Sequence, residues 1–191
     1  MDVALIFETV NHLTIKKISV LRGDKPILHD FSLTLPGSQW TVLRGRNGSG
    51  KSTLLKTIVG LLPFQQGSIS CSSFCYLGHQ NGFRESLTVG EQLMFVANYF
   101  RVPLPSTPVD HLLDLPLHHL SAGLKRQTAL CQFIFSPHPL WIMDEPFEHL
   151  DKQAQTYFIS LMQDHIERGG SILQTSHESI NKSNVQEIWL S

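Results

Sequence analysis

The sequence predicts an α/β fold in a single domain, and three observations carry that prediction. Short apolar strands alternate with helical segments along the chain, the pattern of a sheet covered by helices. The 191 residues, 41% of them hydrophobic and 16% charged, can bury a sizeable core but are few for two domains. The run Gly45-Arg46-Asn47-Gly48-Ser49-Gly50-Lys51-Ser52 stands between a predicted strand and a predicted helix, the setting a phosphate-binding loop requires. The domain is expected to take in residues 1–191. Its core is placed at about 1–86 and 137–191, and a helical subdomain at about 87–136.

Leu13 to Leu21 and Ile27 to Leu35 read as strands joined by a turn at Gly23-Asp24-Lys25-Pro26. Gln39 to Arg44 is a third strand and leads into Gly45. Helical periodicity runs from Ser52 to Leu62 and is closed by Pro63, because the residue before a proline is pushed out of the helical region. Ser68 to Gly78, rich in Ser, Cys, Phe and Tyr, is strand-like. Thr88 to Phe100 is a helix whose Thr88 and Glu91 form the pattern of a capping box. Pro103, Pro105, Pro108 and Pro116 keep the next stretch in loop. A helix from Ala122 to Phe135 follows, then a short apolar strand at Leu140 to Met143. Gln153 to Arg168 is a helix, Ser171 to Thr175 a strand, and Gln186 to Leu190 an edge strand.

Composition excludes several classes. Fifteen basic residues against 16 acidic give a net charge of -1, so nothing global points to nucleic acid or a membrane surface. No segment reaches the roughly 18 to 20 apolar residues of a membrane span, since Ser136-Pro137-His138-Pro139 interrupts the nearest one, Ala129 to Met143. The opening Met1-Asp2 and the early Glu8 do not make a secretory signal, and the chain is expected to be soluble on its own. Cys71, Cys75 and Cys131 form no C-x-x-C pair and read as reduced thiols. The ten histidines are scattered, with no H-x-x-x-H, and no cysteine precedes a proline. That spacing offers no evident ligand set for zinc or haem.

The chemistry begins at Gly45 to Ser52. Successive backbone N–H groups there would cradle phosphate oxygens, and the helix N-terminus adds positive potential. Lys51 would reach the β- and γ-phosphates, and the Ser52 hydroxyl would ligate Mg²⁺. Alone, this loop fits a nucleotide kinase or a GTPase equally well. Leu120-Ser121-Ala122-Gly123 then opens a helix, and Leu140-Trp141-Ile142-Met143-Asp144-Glu145-Pro146 is an apolar strand ending in an acidic pair. One acid can hold the shell of Mg²⁺ and the next can polarise water. Leu150-Asp151 and, at a strand end, His177 lie beyond.

In this order, with Gln80 between the phosphate loop and Leu120, the sequence resembles the ATP-binding-cassette ATPases from about Leu13 to Leu190. The resemblance implies a P-loop NTPase fold with a small antiparallel β region and a helical subdomain, and ATP and Mg²⁺ as ligands. It implies ATP contacts from Gly45, Arg46, Asn47, Gly48, Ser49, Gly50, Lys51, Ser52 and Thr53. Ser121, Ala122 and Gly123 would face the γ-phosphate held by the opposite protomer of a homodimer, and Asp151 would sit at the dimer seam. Asp144 would bind Mg²⁺ through water, alongside Ser52 and Gln80. Glu145 would be the general base, Gln80 a sensor of Mg²⁺ and the attacking water, and His177 a bridge from the γ-phosphate to the catalytic region.

This sequence departs from that pattern in three places. Leu124 replaces the usual Gln of the signature, where a modest loss rather than a dead site is expected. Arg22 stands before Gly23 where many relatives carry an aromatic that stacks on adenine; a guanidinium plane can stack too. The segment Gly67 to Gly78 is abbreviated and the helical insert is small, as in a minimal cassette.

Tyr76-Leu77-Gly78-His79-Gln80-Asn81-Gly82, Leu87-Thr88 with Glu91-x-Leu93, Lys125-Arg126, Trp141-Ile142, Phe147, Gly169-Gly170 and Thr175-x-His177 narrow the resemblance. They look like the small haem-exporter ATP-binding subunits of cytochrome c maturation. That subgroup implies integral membrane subunits as partners, a haem chaperone reached indirectly, and a place at the cytoplasmic face of a bacterial inner membrane. Another exporter's ATPase, or a soluble cassette ATPase in a non-transport assembly, shares many of these features. The helix carrying Leu93, Met94, Phe95, Val96, Ala97, Tyr99 and Phe100 is apolar around more than one stripe. Either it is sandwiched within its own domain, or one side stays open beside Gln80–Phe83 and receives a membrane subunit through Phe83, Met94 and Tyr99.

Overall fold

The computed structural model describes Phe7, residues 10–177 and residues 185–190. Two sheets organise them. Strands β1 (Asn11–Arg22), β2 (Lys25–Pro36) and β4 (Gln66–Cys71) form an antiparallel sheet in the order β2-β1-β4. Strands β3 (Trp40–Arg44), β5 (Phe74–Leu77), β6 (Leu140–Met143), β7 (Ser171–Thr175) and β8 (Val185–Trp189) form a parallel sheet in the order β5-β6-β7-β3-β8. Helices α1 (Lys51–Ile58), α2 (Val89–Phe100), α3 (Ala122–Leu130) and α4 (Lys152–Glu167) pack around it.

Every residue of β3, β6 and β7 is buried, as expected of central strands covered on both faces. Alternation along these strands divides the core in two. Leu43, Leu140, Ile142 and Leu173 join Leu54, Leu55 and Ile58 of α1 and the inner face of the antiparallel sheet. Trp40, Val42, Trp141, Met143 and Ile172 face the other way, onto Leu93 of α2, Phe133, and Phe158 and Met162 of α4. The parallel sheet is therefore packed on both faces, and the ends of its strands carry the motif residues.

Several predicted elements change at their boundaries. Lys25 and Pro26 belong to β2, because Arg22 pairs with Lys25 and leaves Gly23 and Asp24 as a two-residue turn. Helix α1 stops at Ile58, short of the expected Leu62. Gly60 takes φ 79, its N–H donates to Thr57 O, and the Leu61 N–H turns back to Lys56 O, so glycine rather than Pro63 ends the helix. The single strand expected over Ser68 to Gly78 is two strands in different sheets, broken at Ser72 and Ser73. The helix expected to reach Phe135 is α-helical only to Leu130 and tightens to a 3-10 turn at Cys131–Ile134. The capping box is present: Thr88 Oγ1 accepts from Glu91 N at 3.1 Å, and Glu91 Oε2 accepts from Thr88 N at 2.8 Å.

Helix α2 buries Val89, Leu93 and Ala97 and exposes the opposite side, with Met94 at 47%, Phe95 at 61% and Tyr99 at 75%. It is not sandwiched. Among the described residues no helix is long and apolar enough to cross a membrane.

Candidate active site

The buried strand β3 delivers the chain into the phosphate loop, and α1 begins at its far end with Gly50 as cap at φ 96. Gly45 has no room for a side chain, since a Cβ would meet Ser49 Oγ at 2.5 Å and Leu190 O at 2.6 Å. Lys51 is 8% exposed and its Nζ donates to Gly45 O at 2.8 Å and Arg46 O at 3.3 Å. Its ammonium is thus fixed inside the loop that its own backbone closes.

Strand β6 carries the acidic pair to the same edge of the sheet. Asp144 is 1% exposed, and its Oδ1 accepts a 2.7 Å hydrogen bond from Thr175 Oγ1 on the neighbouring β7. That hydroxyl also accepts from Glu145 N at 2.8 Å, so one side chain of β7 aligns both acids. The other Asp144 oxygen, Oδ2, is buried with no hydrogen-bond partner. An ionised oxygen in that position demands a cation or a cation's water, so the site suits a hard divalent ion such as Mg²⁺. Glu145 has φ 48, a left-handed conformation rare for a side chain of its kind. His177 N donates to Glu145 Oε2 at 3.2 Å, and His177 Nε2 lies 3.3 Å from Glu145 Oε1.

These parts enclose a cleft of about 430 Å³, lined by Arg22, Asn47, Gly48, Gly50, Lys51, Ser52, Thr53, Lys56, His79, Asp144, Glu145 and His177 among others. Three cations face two carboxylates across it, a field suited to a polyphosphate carrying a metal ion. Gly45, Arg46 and Ser49 are not among its walls. Gln80 is exposed and lines a neighbouring cavity of about 450 Å³ with Asn81, Phe83, Ala122 and Arg126, while the adjacent His79 reaches the cleft.

The signature residues lie outside the cleft as well. Ser121 is exposed and caps α3, accepting from Leu124 N at 3.3 Å. Gly123 packs so closely on the loop after the acidic pair that a Cβ would meet His149 O at 2.6 Å. Asp151 caps α4 by accepting from Ala154 N at 2.8 Å. Leu124 is partly buried against the larger core cluster. Each of these residues thus has local work within its own chain.

Sequence reasoning gave two residues of the site, Thr175 and Arg126, no role beyond marking the subgroup. Thr175 gave a faint signal, as a hydroxyl ending a strand two residues before His177. Arg126 gave a clearer one, since it shares a helical stripe with Ala129, Leu130 and Phe133, all of them buried. The guanidinium is 3% exposed and bonds the backbone of both the acidic pair and the Gln80 loop. Burial pulls its pKa down, and the fields of Glu148, Asp144 and Glu145 oppose that. Tyr76, beside them, is pushed up by burial first and by Asp144 second.

A family model of the ABC transporter matches residues 28–148. The cytochrome c biogenesis ATP-binding export protein CcmA of Agrobacterium fabrum is 34% identical, over 92% of this chain and 93% of its own. The protein of the same name from Ruegeria pomeroyi is 37% identical, over 86% of this chain and 84% of its own. A solved structure described as the ATP binding subunit of an ABC transporter superposes with a TM-score of 0.80 at 27% identity, over 86% of this chain and 79% of that one. A Pyrococcus furiosus protein described as a putative ABC transporter ATP-binding protein shares the fold, with a TM-score of 0.79 at 23% identity over 93% and 96% of the two chains. The motif order, the fold and these similarities agree: the chain belongs to the ABC transporter family, as a relative of the cytochrome c biogenesis ATP-binding export proteins.

Proposed function

We propose that this chain is the ATPase subunit of a membrane ABC complex serving cytochrome c biogenesis, as the names of its relatives suggest. It works as a homodimer at the cytoplasmic face of a bacterial inner membrane, and any haem chaperone is reached only through the membrane subunits. One observation carries the reading. The cleft gathers Lys51, Ser52, Asp144, Glu145 and His177, yet leaves Ser121 and Gly123 outside it. A second protomer is what would bring a signature segment to that cleft.

The reaction follows from the geometry. Backbone N–H groups of the phosphate loop and the N-terminus of α1 take the phosphate oxygens, with Arg22 beside the nucleoside end. Ser52 and Asp144 Oδ2 would hold Mg²⁺, which supplies charge neutralisation on the phosphates, and Gln80 would join them if its loop swings toward the cleft. Glu145, whose carboxylate lies 3.3 Å from His177 Nε2, would take the proton of the water as its oxygen bonds to the γ-phosphorus and the bond to the ADP oxygen breaks, leaving ADP and phosphate. Turnover per protein molecule is expected to rise with protein concentration and level off once the chain is dimeric. Full activity in a strictly monomeric chain, measured by scattering alongside turnover, rejects the dimer.

The open side of α2 favours a membrane complex over a soluble assembly. Met94 and Tyr99 leave large apolar surface exposed on α2, and Phe83 lines the cavity that Gln80 lines, side chains of the kind that receive a short apolar helix. Phe83→Asp and Met94→Glu are expected to abolish co-purification with the membrane subunits while leaving ATP binding intact. Folded, ATP-binding variants that co-purify normally place the membrane contact elsewhere.

A further inference from the structure

Among the described residues, Arg126 is the one guanidinium that links α3, the end of β6 and the loop after β5. It rises from α3, four residues after the Ala122 that opens the helix, and enters the gap between the end of β6 and the loop after β5. All five of its N–H donors are used. Nε donates to Pro146 O at 3.2 Å; Nη1 donates to Gly78 O at 2.9 Å and Asn81 Oδ1 at 2.9 Å; Nη2 donates to Asp144 O at 2.5 Å and Glu145 O at 2.9 Å. A buried cation is tolerated only with its donors paired, and here that is done almost wholly by backbone carbonyls. Three of those carbonyls are consecutive, from Asp144 to Pro146, and the middle one belongs to the residue with φ 48. The remaining bonds, with a longer one of 3.5 Å from Nη1 to His79 O, pin Gly78 and Asn81 on either side of Gln80.

We infer that Arg126 is a positioning residue for hydrolysis: its saturated fork holds the backbone of Glu145 in the conformation that presents the carboxylate, and ties that backbone to the loop carrying Gln80. It is not among the walls of the cleft that Lys51, Asp144 and Glu145 line. A displacement of the Gln80 loop would pull on Asn81 and Gly78, and through Arg126 on the carbonyls of the acidic pair. Gln80 can then influence the catalytic carboxylate without standing beside it. Lysine cannot replace the fork, because it has three donors and no planar spread to reach carbonyls on opposite sides.

The inference rests on Glu145 being the base, and the test separates the two claims. Turnover, nucleotide affinity and backbone amide exchange are measured on the full chain for Arg126→Lys, Asn81→Ala and Glu145→Gln, and for each of the first two combined with the third. Arg126→Lys is expected to lower turnover about tenfold or more while shifting nucleotide affinity less than about threefold, and to cost less than about twofold in the Glu145→Gln background, because residues acting through one group are not additive. Asn81→Ala removes one bond at a partly buried position and should fold even if Arg126→Lys does not. It is expected to speed amide exchange both in residues 78–83 and in residues 144–148. An equal cost of Arg126→Lys with and without Glu145, or faster exchange confined to the loop, overturns the proposal. If Glu145→Gln alone runs at the wild-type rate, the base assignment falls, while the exchange result still decides whether Arg126 ties the two backbones together.

Discussion

Glu145→Gln is expected to leave ATP binding intact and to slow hydrolysis by about 10²- to 10⁴-fold, the usual cost of losing a general base. The substitution is nearly isosteric. The amide oxygen can still accept from His177 N, as Glu145 Oε2 does at 3.2 Å, and the peptide N–H of the residue keeps its bond to Thr175 Oγ1. What disappears is the capacity to take a proton from water. A nucleotide titration and a single-turnover assay on the same preparation are the measurements. Wild-type turnover removes Glu145 from the base role, and lost binding would mean that the carboxylate supports the cleft rather than the chemistry.

Lys51→Ala is expected to act on the other observable. Its ammonium spans the carbonyls of Gly45 and Arg46 and faces the cleft, so truncation both frees the loop and removes a charge-assisted bond to the phosphates. Hydrogen bonds to charged groups contribute about 1.5–3 kcal/mol, which corresponds to about 10- to 150-fold in affinity. Calorimetric or fluorescent titration with ATP checks it, with a thermal melt to show that the variant folds. Unchanged affinity would make Lys51 a purely structural brace of its own loop.

The parts of this protein that were legible in the sequence are those decided locally. The phosphate loop declares itself because only glycine suits the positions at φ 147, 86 and 96 and because a strand and a helix flank it. The capping box of α2 is likewise contained within four residues. What could not be read depends on distant partners. Nothing within Ser68 to Gly78 says that its first half pairs with β1 and its second with β6. Whether α1 ends at Gly60 or before Pro63 is settled by which residue turns left-handed, and both are reasonable punctuation. Gln80 was placed at the metal from its position in the motif order, yet its exposed side chain lines the neighbouring cavity. The role of Arg126 is not legible in its Lys-Arg pair, because the carbonyls it collects come from residues 78, 79, 144, 145 and 146.

The close approach of Gly123 to His149 O changes how natural variation at that position is to be interpreted. Any side chain there collides with backbone before a partner protomer or a nucleotide is involved. The glycine would therefore be retained in a descendant chain that had stopped hydrolysing ATP, for as long as α3 stayed packed on the loop after the acidic pair. Its presence in a sequence testifies to packing first and to catalysis only second. A lineage drifting away from ATPase activity would record the change sooner at Ser121, whose exposed side chain meets no such wall and whose capping of α3 Asp, Asn or Thr can also perform.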